Sequence, residues 1–522
     1  MPIGRNERTT VLVVGGGPVG MLLACELALQ NVETIVIEQH AHVLDTPRAG
    51  TLHARSVQSL LRRGYLRMPQ PGRLDVWQRS GFHFGGLPIL EIATPTAEGP
   101  PILGQSQQAL EETFEARARK LGAQVRRRTR LAGLVQRRDR VEAQVEGEGG
   151  EARTLEADYV VGCDGARSTV REQAGIGATT TEPTFSGLIG RVRLLDPAAA
   201  PGGWTQGPEG WTLINVHPHG PSRVLTHDFT RPFPLRQQPV TLQELQQTAE
   251  RVLDRVLPMD QATYLSRFSD FTRLADTYRS RRVLLAGDAA HVHAPLGGQG
   301  LNTGLQDAFN LGWKLALVAR GEADPRLLDT YTHERRPVAQ TVINNTRAQA
   351  NLMHPGPAHA ALRSYVTELF HLPEVNRSVA EEISGQVIAY PQPDTTALTG
   401  SFLANHRFDT SRGPRTTADL LQDAVPLLLL AQDTDAAVED IARDWGSRLR
   451  TVRVGCPDPL GWTAALCRPD GYLAWAAQDQ VHTASLRRAL TDWLGPASRP
   501  NPPTGPPEDG TQTPHIEHEV TR

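Results

Sequence analysis

GDAAHVHAPLGGQGLNTGLQDAFNLGWKL, residues 287–315, decides how this chain is read. An apolar run from Arg282 to Ala286 reads as a buried strand that delivers the chain to Gly287 and Asp288. A loop rich in glycine and proline follows. From about Asn302 the residues Leu305, Ala308, Phe309, Leu311, Trp313 and Leu315 recur at helical spacing. A carboxylate at a strand end accepts hydrogen bonds from sugar-like hydroxyls, and its apolar neighbours imply that Asp288 is partly buried. Glycines let backbone approach a flat ligand. A helix start aims free N–H groups and a positive dipole end at what lies above it. A ligand with a polyol chain and a ring that becomes anionic suits all three, and a reduced flavin has both.

A second signal lies upstream. Thr10 to Val14 reads as a buried parallel strand running into Gly15-Gly16-Gly17-Pro18-Val19-Gly20. Leu22, Leu23, Leu27 and Ala28 then mark a helix. Thr34 to Ile37 marks a second strand, ending at Glu38 with Gln39 beside it. This is G-x-G-x-x-G in its β-α-β setting. Gly15 makes the turn, Gly17 admits a pyrophosphate, and Gly20 lets helix and strand pack. Glu38, about twenty residues on, takes ribose hydroxyls. The motif alone suits NAD as well as FAD; the 287–315 stretch decides for FAD.

Composition narrows the class. The chain has 522 residues, which suggests two or three domains, and a net charge of −3, which excludes a nucleic-acid footprint. Lys120 and Lys314 are the only lysines. Cys25, Cys163, Cys456 and Cys467 form no CxxC and no metal-ligand cluster, and read as buried thiols of a reducing compartment. We expect no signal peptide, no membrane helix, no metal and a cytoplasmic location. His217 and His219 read as a strand-end turn. His291 and His293 flank the glycine loop with nothing to complete a metal site.

Together these stretches resemble the FAD-dependent aromatic hydroxylases, the para-hydroxybenzoate hydroxylase-like flavoprotein monooxygenases. The resemblance implies Asp288 on the flavin ribityl chain. It places Pro295, Gly298, Gly300, Leu301 and Asn302 against the isoalloxazine edge. Pro47 to Ser56 resembles the family's post-strand segment, which makes Arg48 the arginine that reaches the flavin, with His53 and Arg55 supporting the loop or beginning the helix through Leu60 and Leu61. The helix entry from Ser106 resembles Pro-Gln-x-x-x-Glu. Gln107 would be its flavin-contacting glutamine and Gln105 the competing choice, since Ser106 replaces the family's proline. Asp164-Gly165-Ala166-Arg167-Ser168-Thr169-Val170-Arg171 resembles the Asp-Gly fingerprint. Asp164 there either shapes the nucleotide sites or only ties down a turn. Backbone near Leu131 would touch adenine.

The remaining texture divides the chain. Residues 1–69, 105–178 and 281–355 read as a discontinuous Rossmann-like FAD-binding body, with a long helix after Tyr331. Residues 70–104 and 179–280 read as an inserted antiparallel substrate-side sheet, and 356–398 as a helical linker. Residues 399–496 resemble the thioredoxin-like C-terminal domain of the phenol and polyketide hydroxylase branch. Without a CxxC they are assigned packing or assembly. Residues 497–522 read as a disordered tail.

The fold is therefore read as α/β with these additions. The resemblance implies hydroxylation of a phenolic or polyketide-type ring with NADPH or NADH and O2, through a flavin C4a-hydroperoxide, by a monomer or homodimer. Pro295, Gly298 and Arg48 would lie closest to the chemistry. A non-catalytic FAD-binding assembly or sensing protein is the alternative from another class. A flavin halogenase is less consistent, because no Trp-x-Trp-x-Ile-Pro motif occurs.

Overall fold

The computed structural model describes residues 7–46, 49–67, 72–230, 238–390, 398–456 and 460–497. The expected tail after Ser498 and residues 391–397 of the expected linker lie outside the described residues.

The body is built on a parallel sheet. Glu7–Val14 pairs in parallel with Thr34–Ile37 on one side and Ala152–Gly162 on the other. Gln124–Arg126 and Val283–Leu285 extend the two edges. Val11, Leu12 and Val13 are fully buried, as an apolar run covered on both faces must be. Arg130–Gln136, Val141–Glu146 and the first half of Ala152–Gly162 form an antiparallel layer beside it. The Gly147–Gly150 stretch is their turn.

Helix Pro18–Leu29 crosses helix Gln299–Ala319 closely. A Cβ on Gly304 would stand 2.7 Å from Val19, and one on Gly312 would stand 2.5 Å from Glu26. The second motif's helix is thus pressed against the first by two glycines eight residues apart. Helix Asp329–Met353 runs alongside with Pro337 near its first turns.

The inserted sheet has five antiparallel strands, in the order Gly203–Gln206, Gly210–Asn215, Ser222–Asp228, Ser186–Leu194, Met259–Ser269. Helix Leu242–Leu253 covers one face over Leu188, Val192, Ile214 and Val224. Residues directly opposite in a ladder share a face. Trp211 with His227, Leu213 with Leu225, Ile189 with Ser266, and Gly187 with Phe268 therefore line the other. Among the described residues, 72–104 do not join this sheet by hydrogen bonds. Trp77–Phe84 and Leu87–Pro95 pair with each other, and Ile102–Gly104 pairs with Thr51–His53.

Beyond helices Pro357–Phe370 and Pro373–Ile383 lies a four-stranded sheet, ordered Arg450–Val454, Leu427–Ala431, Ala464–Cys467, Leu473–Ala477. Helix Ala436–Arg443 crosses between its first two strands in sequence, and Thr483–Leu494 closes it. Buried ions join this unit to the body. Glu334 receives Lys314 at 2.7 Å and Arg468 at 2.7 Å, and Arg468 also holds Asp470. All four cysteines are free, with Cys163 and Cys456 only partly buried. Among the described residues no helix is long and apolar enough to cross a membrane, and no cluster of metal ligands occurs.

Candidate functional site

Gly15 leaves the first strand with φ 106°, and a Cβ there would lie 2.3 Å from the Cys163 carbonyl oxygen. At Gly20 a Cβ would lie 2.0 Å from the Gly15 carbonyl oxygen. At Gly17 it would meet nothing within 4 Å. The first and last glycines are therefore demanded by the chain itself, whereas the middle one borders an open groove. Helix Pro18–Leu29 starts under that groove with Gly17 as N-cap, no side-chain cap, and Pro18 in its first turn. Its first amides lack intrahelical partners, which makes an anion site.

Glu38 accepts from Gly16 N–H at 2.7 Å and His40 N–H at 2.8 Å, so its carboxylate stands at the groove's edge. Gln39 is exposed beside it. Thr129 N–H bonds the Glu38 carbonyl at 2.9 Å, which brings the strand carrying buried Leu131 to the same end.

The second motif closes on the first. Gly287, at φ 61°, sits against Val19. Asp288 follows in a short 3-10 turn and is exposed, contrary to the partial burial expected from its apolar neighbours. The turn rotates the carboxylate out of the sheet. The buried aspartate is Asp307, fully enclosed and not singled out by the sequence. It accepts from Gly287 N–H at 3.1 Å, from the His291 ring at 2.6 Å and from Arg335 Nε at 2.8 Å. The positive charge of Arg335 and the His291 ring hold the Asp307 carboxyl below its ordinary range against the opposing effect of burial.

Gly297 and Gly298 both adopt left-handed backbone, at φ 68° and 63°, after exposed Pro295. The helix then begins at Gln299, three residues before the apolar periodicity shows it, because a single leucine among glycine and polar residues sets up no repeat in the first turn. Gly300 and Leu301 lie in that turn, half-buried. Asn302 follows them in the helix. Its side chain is buried, donating to the Gly298 and Thr51 carbonyls at 2.8 and 3.0 Å and accepting from His53 N–H at 2.8 Å. It ties the glycine loop to Thr51–His53.

Arg48 lies outside the described residues. The segment just after it is pinned: Gln105 N–H bonds Gly50 and Gln107 N–H bonds Ala49, each at 3.1 Å. Both glutamines thus stand beside that loop, and Ser106 caps the helix, accepting from Ala109 N–H at 3.2 Å. Asp164 is engaged structurally. It accepts from Ser168 Oγ at 2.5 Å and Val170 N–H at 3.1 Å, fastening the short helix Thr169–Gln173; burial raises its pKa.

The sheet face opposite the glycine loop is lined with rings. Phe185 and Trp211 share one apolar cluster with Ala294 and Leu296, the residues flanking Pro295. A continuous series of rings runs His53–Phe82–His83–Trp204–His227, with successive centroids 5.1, 4.5, 5.0 and 5.2 Å apart. His53, expected to support the loop or begin the following helix, is that helix's N-cap and bonds the Gly297 carbonyl through Nε2 at 2.8 Å. Burial presses His53 to about 4 and His227 to about 3, so both rings are neutral. The sequence could not show this series, since it joins four segments.

The FAD binding domain family matches residues 8–346, and the family described as aromatic-ring hydroxylase, C-terminal matches 396–497. The chain is 37% identical over 516 residues to a 12-dehydrotetracycline 5-monooxygenase/anhydrotetracycline 6-monooxygenase of Streptomyces rimosus subsp. rimosus, covering 94% of this chain and 99% of that protein. It is 36% identical to a rifampicin monooxygenase of Rhodococcus hoagii and to a dialkyldecalin synthase of Streptomyces rugosporus, each covering 94% of this chain and 99% of the relative. Among solved structures, an anhydrotetracycline hydroxylase from Streptomyces rimosus superposes with TM-score 0.84 at 36% identity, covering 94% of this chain and 100% of that one. The uncapped groove at Gly17, the paired left-handed glycines before Gln299 and these matches converge: the chain belongs to the FAD-dependent aromatic-ring hydroxylases, which are flavoprotein monooxygenases.

Proposed function

We propose that this chain inserts one atom of O2 into a phenolic or polyketide-type aromatic ring, with NADPH or NADH as electron source. The observation that carries the reading is the ring-lined face of the antiparallel sheet standing over the Gly297–Gly298 loop. The names of the tetracycline and rifampicin monooxygenases support the substrate class.

When bound, FAD supplies the acceptor for hydride and the ring that activates oxygen. The chain does the rest by position. The Pro18 helix start and the open side of Gly17 receive the pyrophosphate. Glu38 receives the adenosine ribose and the Leu131 strand flanks the adenine. Asp288, exposed at the groove, receives the ribityl hydroxyls. Pro295, Gly298, Gly300 and Leu301 border the isoalloxazine, and the Gln299 helix start lowers the energy of negative charge on that edge. Arg48 and either Gln105 or Gln107 complete this side. The aromatic sheet face orients the substrate ring and keeps water away.

The same reading keeps the discontinuous domain partition given above. It takes residues 399–496 as a thioredoxin-like unit used for packing, supported by its βαβ-then-hairpin order and its buried ion contacts to Glu334. It places the protein in the cytoplasm, a compartment its free cysteines favour, and takes it as a monomer or homodimer.

The test is an NADPH-oxidation screen over phenols, polyketides and aromatic antibiotics with product mass. A gain of one oxygen that depends on O2 supports the proposal. Turnover of a substrate without oxygen gain overturns it, and would align the chain with the dialkyldecalin synthase it also resembles.

A further inference from the structure

We propose that Gln349 is a positioning residue: through its amide, the tip of a hairpin resting on the ring-lined sheet face sets the placement of the glycine loop at Gly297. This rests on the reading above, in which that loop borders the flavin and that face takes the substrate, and deepens it.

Strands Trp77–Phe84 and Leu87–Pro95 pair Phe84 with Leu87, so Gly85 and Gly86 alone make the turn. Both have positive φ, 55° and 81°, as a two-residue turn between twisted strands demands. The tip lies against the rings. A Cβ on Gly86 would stand 2.8 Å from the Trp211 ring and 3.4 Å from the Trp204 ring. Leu87 packs on the cluster of Phe185, Trp211, Ala294 and Leu296. Trp211 is in turn fixed to the end of helix Asp329–Met353, its Nε1 donating to the Met353 carbonyl at 2.7 Å.

Gln349 lies one turn earlier in that helix and is fully enclosed. Gly85 N–H donates to its Oε1 at 3.0 Å, and its Nε2 donates to Asn345 Oδ1 at 2.7 Å. The same Asn345 oxygen receives Gln299 Nε2 at 3.0 Å, and Asn345 Nδ2 donates to Glu382 Oε1 at 2.9 Å. The sense of these amides is forced from both ends. A backbone N–H only donates and a carboxylate accepts, so turning any amide over would set like atoms face to face.

Gly297 sits against two of these groups. A Cβ there would lie 3.1 Å from both Gln349 Nε2 and Gln299 Nε2. Gln299 is also the first residue of the helix that follows the glycine loop. One buried amide chain thus touches the hairpin tip, the left-handed glycine and the helix start. Breaking a bond in such a chain leaves a buried polar group unpaired, which is costly. A shift of the tip is therefore passed through Gln349 to the loop.

The experiment is a double-mutant cycle on the full chain, stripped of FAD and titrated with FAD by fluorescence. Gly86→Ala pushes the tip against Trp211. Gln349→Met keeps the side chain's length and removes its hydrogen bonds. Gly86→Ala should weaken FAD binding by at least about sixfold in the wild-type background and by no more than about twofold in the Gln349→Met background. Gln349→Met should also alter the visible circular dichroism of the bound flavin, which a loss of stability alone leaves unchanged. A ratio of the two factors below about threefold, close to the scatter of independent sites, overturns the inference. So does an unaltered dichroism. Should Gln349→Met not fold, Asn345→Leu breaks the next bond and takes its place. Should Gly86→Ala not fold, Leu87→Ala, which thins the tip's packing on the rings, takes its place. Oxygen-dependent mass gain is read separately. A chain that hydroxylates aromatics but shows independent factors loses this inference and keeps its function. One that shows the coupling but never gains oxygen loses the function and keeps the coupling.

Discussion

Asp307 holds Gly287: its carboxylate accepts the Gly287 backbone N–H at 3.1 Å, one residue before Asp288, while its other oxygen takes Arg335 Nε at 2.8 Å. A helix residue twenty positions downstream thus sets where the exposed Asp288 stands. Asp307→Ala leaves Arg335 buried with its charge unmet, for which we expect a stability loss of about 3–5 kcal/mol. Denaturant unfolding of the apoprotein measures it. A loss below about 1 kcal/mol would mean that the pair does not anchor this turn.

Asp288→Asn keeps shape and gives up a charge-assisted hydrogen bond of about 1.5–3 kcal/mol. FAD should bind roughly ten- to a hundredfold more weakly, and more hydrogen peroxide should be released per NADPH consumed. Because Asp288 is exposed, the fold should be unaffected, so a thermal midpoint measured without FAD separates ligation from stability. Unchanged affinity would remove Asp288 from the flavin site.

Gly17 and Gly20 should fail in opposite ways. A side chain at Gly17 meets no protein atom, whereas one at Gly20 collides with the Gly15 carbonyl. Gly17→Val should yield a folded, colourless protein with FAD affinity down by at least about a hundredfold, since it fills the path of the pyrophosphate. Gly20→Ala should lower the yield of folded chain. Absorbance at flavin wavelengths and circular dichroism on the two variants check the contrast.

Acid should destabilise the apoprotein in a defined window. Burial holds His53 and His293 at about 4 and His227 at about 3, below the ordinary value of about 6.5. Between those values the unfolded chain takes up protons that the folded chain refuses. Stability is therefore complete above pH ~6.5, falls as pH drops towards 4, and levels off beneath the folded values. Each full unit of depression corresponds to about 1.4 kcal/mol. Urea midpoints between pH 7 and 4 should fall steadily, and His227→Phe should make that slope shallower. A flat profile would show these rings are protonated in the fold.

The C-terminal unit should have no redox part. Cys467 is fully buried, and burial pushes its thiol up to about 12; Cys456 forms no disulfide. Replacing both with Ala should leave turnover within about twofold. A large fall in a folded variant would contradict a packing role.

How much of this was legible depended on distance along the chain. Gly15, Gly17, Gly20 and Glu38 sit in one strand–turn–helix–strand unit, where spacing alone dictates geometry. The glycine loop before Gln299 announced itself for the same reason, as did the alternation of the antiparallel strands. Burial patterns of period two or near four are local properties, and so the parallel body, the inserted sheet and the closing α/β unit were readable. Residue-level roles were less so. Asp288 reads as buried from its neighbours because sequence cannot show the 3-10 turn that rolls it outward. The side-chain partners of Asn302, Thr51 and His53, lie about 250 positions away, so the sequence could not show that its amide ties down the glycine loop. Asp307 resembles any polar residue of a helix until the fold brings Arg335 and His291 against it. His53 meets Gly297 across 244 positions, and His227 acquires its ring neighbours only when strand parity turns it toward the flavin loop. Sequence by itself determined the local frames that hold a dinucleotide. Only tertiary structure decided which side chains those frames consume and which they leave facing a ligand, because a hydrogen-bond partner is chosen by proximity in space, and the chain order does not record it.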